Sequence, residues 1–218
     1  MYQRTADGIC KICSCRNLNL SGSISFECST HSLNVSSSES LVPELDTTYR
    51  AELLYGIAAD FAEPEGKSVI DLYCGTGTIG LSMAKRAKRV VGIEIVEEAV
   101  ECANMNAKLN GIDNAEFYAG DASDTEGLLE SVEKKSGKKI DADVVIMDPP
   151  RKGSTPELIG YLARRGVTRV VYVSCDPDTL ARDCAEFLKY GYKMSEVIPV
   201  NMFPRTGHVE NVVCLTRK

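Results

Sequence analysis

Several things are missing from this 218-residue sequence. No apolar run approaches the roughly 20 residues that a membrane-spanning helix needs. The N-terminus lacks the charged, then apolar, then small-residue order of a secretory signal, so the default expectation is a cytoplasmic protein with no membrane partner. Positive charge is not in excess: 25 Lys and Arg against 31 Asp and Glu leave a net charge of −6. A nucleic-acid binder usually presents a basic face, which this total does not support, although a local patch remains compatible with it. There is no internal repeat. Cysteine, by contrast, is plentiful and odd in number, at nine. The nine are spread along the chain and several sit inside apolar runs, a pattern of reduced thiols and not of a disulfide scaffold.

With 44% hydrophobic and 26% charged residues, the composition is that of an ordinary globular chain. Residues 1–45 stand apart. The stretch SGSISFECSTHSLNVSSSES is rich in Ser and poor in large apolar residues, and reads as a Ser/Cys-rich extension, a truncated or divergent remnant. Residues 46–218 read as one domain. TTYRAELLYGIAADFA places Leu53, Leu54, Ile57, Ala58 and Phe61 on one helical face. Strands and helices then alternate: KSVIDLY and TIGLSMAKRA, RVVGIEI and EEAVECANMNAKLNG, AEFYAG and SDTEGLLESVEKKSG, DVVIMDPP and TPELIGYLARRG, VTRVVYVSC and PDTLARDCAEFLKYG. This alternation predicts a doubly wound, mostly parallel α/β sheet. KMSEVIPVNMF and HVENVVCLTRK follow as two strands on a short link, which predicts an antiparallel C-terminal edge.

The first strand runs into Asp71-Leu72-Tyr73-Cys74-Gly75-Thr76-Gly77-Thr78-Ile79-Gly80. Glycines there allow a tight turn and a close approach of backbone to ligand. The second strand ends at Glu94, placed for a carboxylate to hold two ribose hydroxyls. The G-x-G-x-x-G match admits a nicotinamide dinucleotide, whose pyrophosphate would sit on the helix N-terminus. An acid opening the loop, Asp71, suits the ammonium of S-adenosyl-L-methionine better. Asp121, after the third strand, is either an acceptor for an adenine amino group or a helix N-cap. The fourth strand ends in Met147-Asp148-Pro149-Pro150-Arg151-Lys152-Gly153. Two prolines stiffen the loop, so that Pro149 could hold a flat base beside a cofactor. Asp148 would anchor the cleft, and Arg151 and Lys152 could meet RNA phosphates; a rigid turn with solvated basic residues is the plainer alternative. Arg164, Arg165 and Arg169 either extend a basic surface or end a helix in solvent.

The fifth strand ends at Ser174-Cys175, and Asp176-Pro177 opens a helix as N-cap and first turn. A helix N-terminus favours a thiolate, which Asp176 would oppose. Cys102, Cys184 and Cys214 read as small core residues.

Four ordered motifs carry a family resemblance: residues 71–80, residues 148–153, Ser174-Cys175-Asp176-Pro177 with Ala181-Arg182-Asp183, and His208-Val209-Glu210. Over residues 46–218 the chain resembles the S-adenosyl-L-methionine-dependent RNA uracil-5-methyltransferases, which make 5-methyluridine in tRNA and rRNA. The resemblance implies a Rossmann-like methyltransferase sheet, Cys175 as the nucleophile that adds to uracil C6, and Glu210 as the base that takes the C5 proton. It implies Tyr73, Thr78, Glu94 and Asp148 around the cofactor, beside Gly75 of the glycine loop, and His208 as a neighbour in the turn. It implies RNA as partner, and no protein partner is expected.

Two departures from the family pattern stand out. Leu45 occupies the place of a cofactor-contacting glutamine. The family's RNA-gripping domains do not fit in residues 1–45. Cys10, Cys13, Cys15 and Cys28 have enough ligands for a metal but no matching spacing, so no metal site is expected. The alternatives are a catalytically impaired cofactor- or RNA-binding remnant and an RNA amino-group methyltransferase; the latter needs no nucleophilic cysteine.

Overall fold

The computed structural model describes residues 42–124, 127, 129–130, 133–134, 137, 139–202, 206 and 209–218, with side chains from Tyr49 onward and none at Ser123. The predicted alternation is there. Helix α1 (Val42–Ala62) precedes β1 (Ser68–Leu72), α2 (Thr78–Met83), β2 (Arg89–Glu94), α3 (Glu97–Leu109) and β3 (Ala115–Ala119). After a 3-10 turn (Ala122–Asp124) come β4 (Val144–Met147), α4 (Pro156–Arg164), β5 (Arg169–Ser174) and α5 (Pro177–Lys189). Three strands close the chain: β6 (Lys193–Met194), β7 (Ile198–Val200) and β8 (Glu210–Thr216). The sheet order is β3-β2-β1-β4-β5-β8-β6, with β7 also on β8. The first five strands are parallel, and β8 enters antiparallel to β5.

Strands covered on both faces read as continuous apolar runs. Val69, Val144, Ile146, Val171, Val173 and Val212 face one core, with α1, α2 and α3. Ile70, Leu72, Val145, Met147, Val170, Tyr172 and Val213 face the other, with α4 and α5. In α1 the buried stripe is Leu54, Ala58, Ala59 and Ala62; Ile57 and Phe61 pack against it, whereas Leu53 is exposed. Helix α2 is four residues shorter than its sequence suggests. The backbone tightens into three-residue turns after Leu81, and the Asn114 side chain donates to the carbonyls of Ala84 and Ala87.

The first of the two predicted closing strands is broken into β6 and β7. Between them Ser195 Oγ accepts from Cys214 N in place of a backbone carbonyl (3.0 Å), and Pro199 in β7 has no N–H to donate.

Candidate active site

The site is built at the carboxyl ends of β1, β2, β4 and β5, where open α/β sheets bind ligands. Beyond β1 the chain turns sharply: Tyr73, Gly75 and Gly77 take φ of 62°, 53° and 81°. Gly77 has to be glycine on steric grounds as well, because a Cβ there would lie 2.8 Å from the Phe117 ring. Asp71 braces the loop from within. Its Oδ2 accepts from Gly80 N at 2.9 Å, while Oδ1 is buried with no partner. Burial pushes this carboxyl up to about 7, and the charges of Asp148 and Glu94 add to the effect. Buried Glu94 accepts from Gly75 N and from Val96 N, both at 3.0 Å. It thereby ties the glycine loop to β2.

Thr78 opens α2 beside this loop and is half-buried. Asp121 is exposed; its backbone carbonyl accepts from Asp124 N, and its charge bears on the Tyr73 phenol. The orphan Asp71 oxygen and the buried Glu94 carboxylate suit a ligand with a cationic head and a ribose. These residues therefore fit S-adenosyl-L-methionine.

The second half of the site comes from the sheet's change of direction. Antiparallel pairing sets Ser174 opposite Asn211, so Cys175 and Glu210, 35 positions apart, become neighbours. The carboxylate acts directly on the thiol, whose pKa lies above the ordinary cysteine value. Burial is the main cause, followed by Glu210 and, more weakly, Asp148; Arg151 opposes them by charge and hydrogen bond. Of the two opposed influences read from the sequence, lowering by the α5 N-terminus does not prevail. Asp176 caps that helix itself, accepting from Asp178 N and Thr179 N at 3.0 Å each, and so occupies its free amides. Asp148 is accessible at the mouth of the cleft, yet crowding and the Glu210 charge move its carboxyl upward.

The basic residues divide differently from expectation. Arg151 lies against Cys175 and is not simply a surface cation. Lys152 is exposed and Pro149 is buried. Arg165 turns inward to Glu133, Ile140 O and Tyr161. Arg169 turns to Phe61 O and Glu63 at the far end of the sheet. Neither forms a basic surface; only Arg164 of the three is exposed. Cys184 and Cys214 are buried as expected, while Cys102 is half-buried.

His208, Cys10, Cys13, Cys15, Cys28 and the side chain of Leu45 lie outside the described residues. Among the described residues, no group of three or more His, Cys, Asp or Glu could hold a metal, and no helix is long and apolar enough to cross a membrane.

A family model described as tRNA (uracil-5-)-methyltransferase matches residues 47–218. The chain belongs to the tRNA (uracil-5-)-methyltransferase family. An RNA methyltransferase of uncharacterised function from Clostridium acetobutylicum is 46% identical over 169 residues, covering 77% of this chain and 35% of that protein. The chain thus spans about a third of the length of such relatives. Among solved structures, the Pyrococcus abyssi tRNA (uracil-54, C5)-methyltransferase in complex with S-adenosyl-L-homocysteine is 34% identical, with a TM-score of 0.64 over 78% of this chain and 38% of that one. A precorrin-6y C5,15-methyltransferase from Geobacter metallireducens shares the fold at 16% identity, with a TM-score of 0.60 over 76% of this chain and 88% of that one. Within this family fold, the sequence did not single out Phe117, which fills the space that Gly77 and Gly92 leave. A glycine in mid-β2, opposite an aromatic of the next strand, was the available signal.

Proposed function

We propose that residues 46–218 form the catalytic domain of an RNA methyltransferase that uses S-adenosyl-L-methionine to methylate C5 of a uridine in rRNA or tRNA. The observation that carries this reading is the juxtaposition of Cys175 and Glu210 across β5 and β8, beside Asp148 and Arg151. Neither residue has a reason to meet the other in a plain nucleotide-binding fold.

Uracil C5 is a weak nucleophile. Cys175, having lost its thiol proton to solvent, forms an S–C6 bond as the thiolate, and the C5–C6 π electrons move so that C5 becomes enolate-like. S-adenosyl-L-methionine, when bound, would supply the methyl group that C5 accepts, with S-adenosyl-L-homocysteine as the leaving group. Glu210 then takes the C5 proton, the C5–C6 double bond re-forms, and the C6–S bond breaks with its electron pair leaving on sulfur as the thiolate. Glu94 would hold the ribose hydroxyls, Asp71 the ammonium and Asp121 the adenine amino group, with Tyr73, Gly75 and Thr78 completing the cradle. Pro149 would wall the base, Lys152 would face the RNA backbone, and Arg151, exposed beside the thiol, would meet the phosphate next to the target base. A uridine in folded RNA must leave its stack to reach Cys175. The short coverage of its relatives is consistent with a catalytic part that depends on further RNA-gripping elements.

The test is trapping with 5-fluorouridine-containing rRNA or tRNA plus cofactor. Fluorine at C5 cannot leave as a proton, so a stable protein–RNA adduct is expected, and it should vanish in Cys175→Ala. Cofactor binding without an adduct would favour an impaired domain. Methylation that survives Cys175→Ala would overturn the nucleophile assignment and point to an amino-group methyltransferase.

A further inference from the structure

The most heavily bonded carboxylate near the site takes no part in the chemistry above. Asp183, on α5, is 2% exposed. Its Oδ2 accepts from Ser154 N at 2.7 Å and from the Tyr172 hydroxyl at 2.6 Å. Its Oδ1 accepts from Arg182 Nε at 2.9 Å. The same guanidinium donates onward to Lys152 O at 2.8 Å and Ser154 O at 3.2 Å. Between these anchors Gly153 has φ of 74°, and a Cβ there would lie 2.5 Å from both Arg182 Nη2 and Asp183 Oδ2. The loop is pressed onto the Arg182–Asp183 pair as closely as backbone allows.

We propose that Asp183, with Arg182, is a positioning residue: it clamps the far end of the 148–154 loop so that the Arg151 guanidinium stays against the Cys175 thiol. The proposal rests on Cys175 being the nucleophile. The near end of the loop is held by β4, by Pro149-Pro150 and by Gly153 N donating to Pro150 O at 2.8 Å. Arg151 lies between two fixed ends. The charged groups around the thiol are Glu210 from β8, Asp148 and Arg151 from the loop, and Asp176 from the α5 N-terminus, which is spent on its own cap. Arg151 supplies the cation of this set. Because Asp183 sits in mid-α5, bonded to Tyr172 of β5, and Cys175 lies at the junction of these two elements, loop and thiol are held by one unit. Burying a carboxylate this fully makes sense when all its donors belong to the parts being joined.

The experiment is peptide-resolved mass spectrometry of Cys175 alkylation by iodoacetamide against pH, on the full chain without RNA, with thermal melting alongside. Arg151→Ala should move the alkylation profile to higher pH by about half a unit or more, roughly threefold slower near neutrality. Asp183→Asn should shift it in the same direction. The Arg151→Ala/Asp183→Asn double variant should shift no further than Arg151→Ala alone. A folded Asp183→Asn with an unmoved profile overturns the proposal, as does a shift that adds to that of Arg151→Ala. If Asp183→Asn does not fold, Arg182→Met decides, since that side chain is 55% exposed: its profile must move up, and an unmoved one overturns the clamp. Alkylation needs no methyl transfer, so failure of the nucleophile reading would show in the fluorouridine trap instead.

Discussion

Gly92→Ala is the sharpest test of how the core supports the cofactor loop. Gly92 lies buried in mid-β2, paired with Asp71 of β1 on one side and Phe117 of β3 on the other. A Cβ there would meet Phe117 Cδ1 at 2.2 Å, Cε1 at 2.6 Å and Cys74 Sγ at 2.9 Å. With a strand paired on each side the backbone cannot retreat, so the Phe117 ring must move. The same ring edge also meets the space at Gly77, where a Cβ would be 2.8 Å from Cζ and 2.9 Å from Cε1. Overpacking of this kind costs about 1–3 kcal/mol, which for a domain of this size lowers Tm by about 2–12 °C. A ring forced off this edge no longer packs under Gly77, so the glycine loop loses support and cofactor affinity should fall as well. Thermal melting and calorimetry with S-adenosyl-L-homocysteine read the two effects. Phe117→Leu, itself destabilising, should make the added alanine nearly neutral. An unchanged Tm for Gly92→Ala, or the same loss in the Phe117→Leu background, would refute the steric reasoning.

Two further outcomes follow from the electrostatics. Asp71 holds its proton more tightly folded than unfolded, with its carboxyl raised from 3.8 to about 7. Its contribution to stability is therefore full below about pH 4 and lost as pH rises through about 7. Subtracting urea-unfolding free energies of Asp71→Asn from wild type should give a difference that falls across that window by a few kcal/mol at most (about 1.4 per unit); a flat difference would show that Asp71 ionises freely. Glu210→Gln removes a negative charge that disfavours the Cys175 thiolate. Alkylation at about pH 8 should rise by roughly threefold, and a slower rate would mean that Glu210 assists ionisation instead.

The Asp176-Pro177 start of α5 was legible because a cap and a first-turn proline act within three residues. So were the doubly buried strands, whose apolar runs allow no exposed face. Leu53 was misassigned because Leu53 and Leu54 are adjacent, and only packing against β4, β5 and β8 selects which of two overlapping helical stripes is buried. The closing strand broke where a serine hydroxyl, not backbone, answered Cys214 N. At the thiol the sequence offered two opposed influences, the helix N-terminus and its Asp176 cap; the burial and the Glu210 charge that decide the direction come from the tertiary structure. Asp183 could have been suspected, as a charge on the same α5 stripe as Leu180, Cys184 and Phe187, but its partners could not.

Local chemistry was thus determined by the sequence alone: the alternation that makes a parallel sheet, the glycines that turn beyond β1, the stiff Asp-Pro-Pro loop and the cysteine at a strand end. These depend on dihedral preferences and on the period of burial, which act over a few residues. The tertiary structure alone decided which of these pieces meet. Strand β8 inserts antiparallel beside β5, and that register brings Glu210 to Cys175. The Asp183 clamp carries Arg151 to the same thiol. Long-range contacts of this kind depend on the closure of one sheet over some 35 to 150 residues, and nothing in the spacing of the chain records their distance.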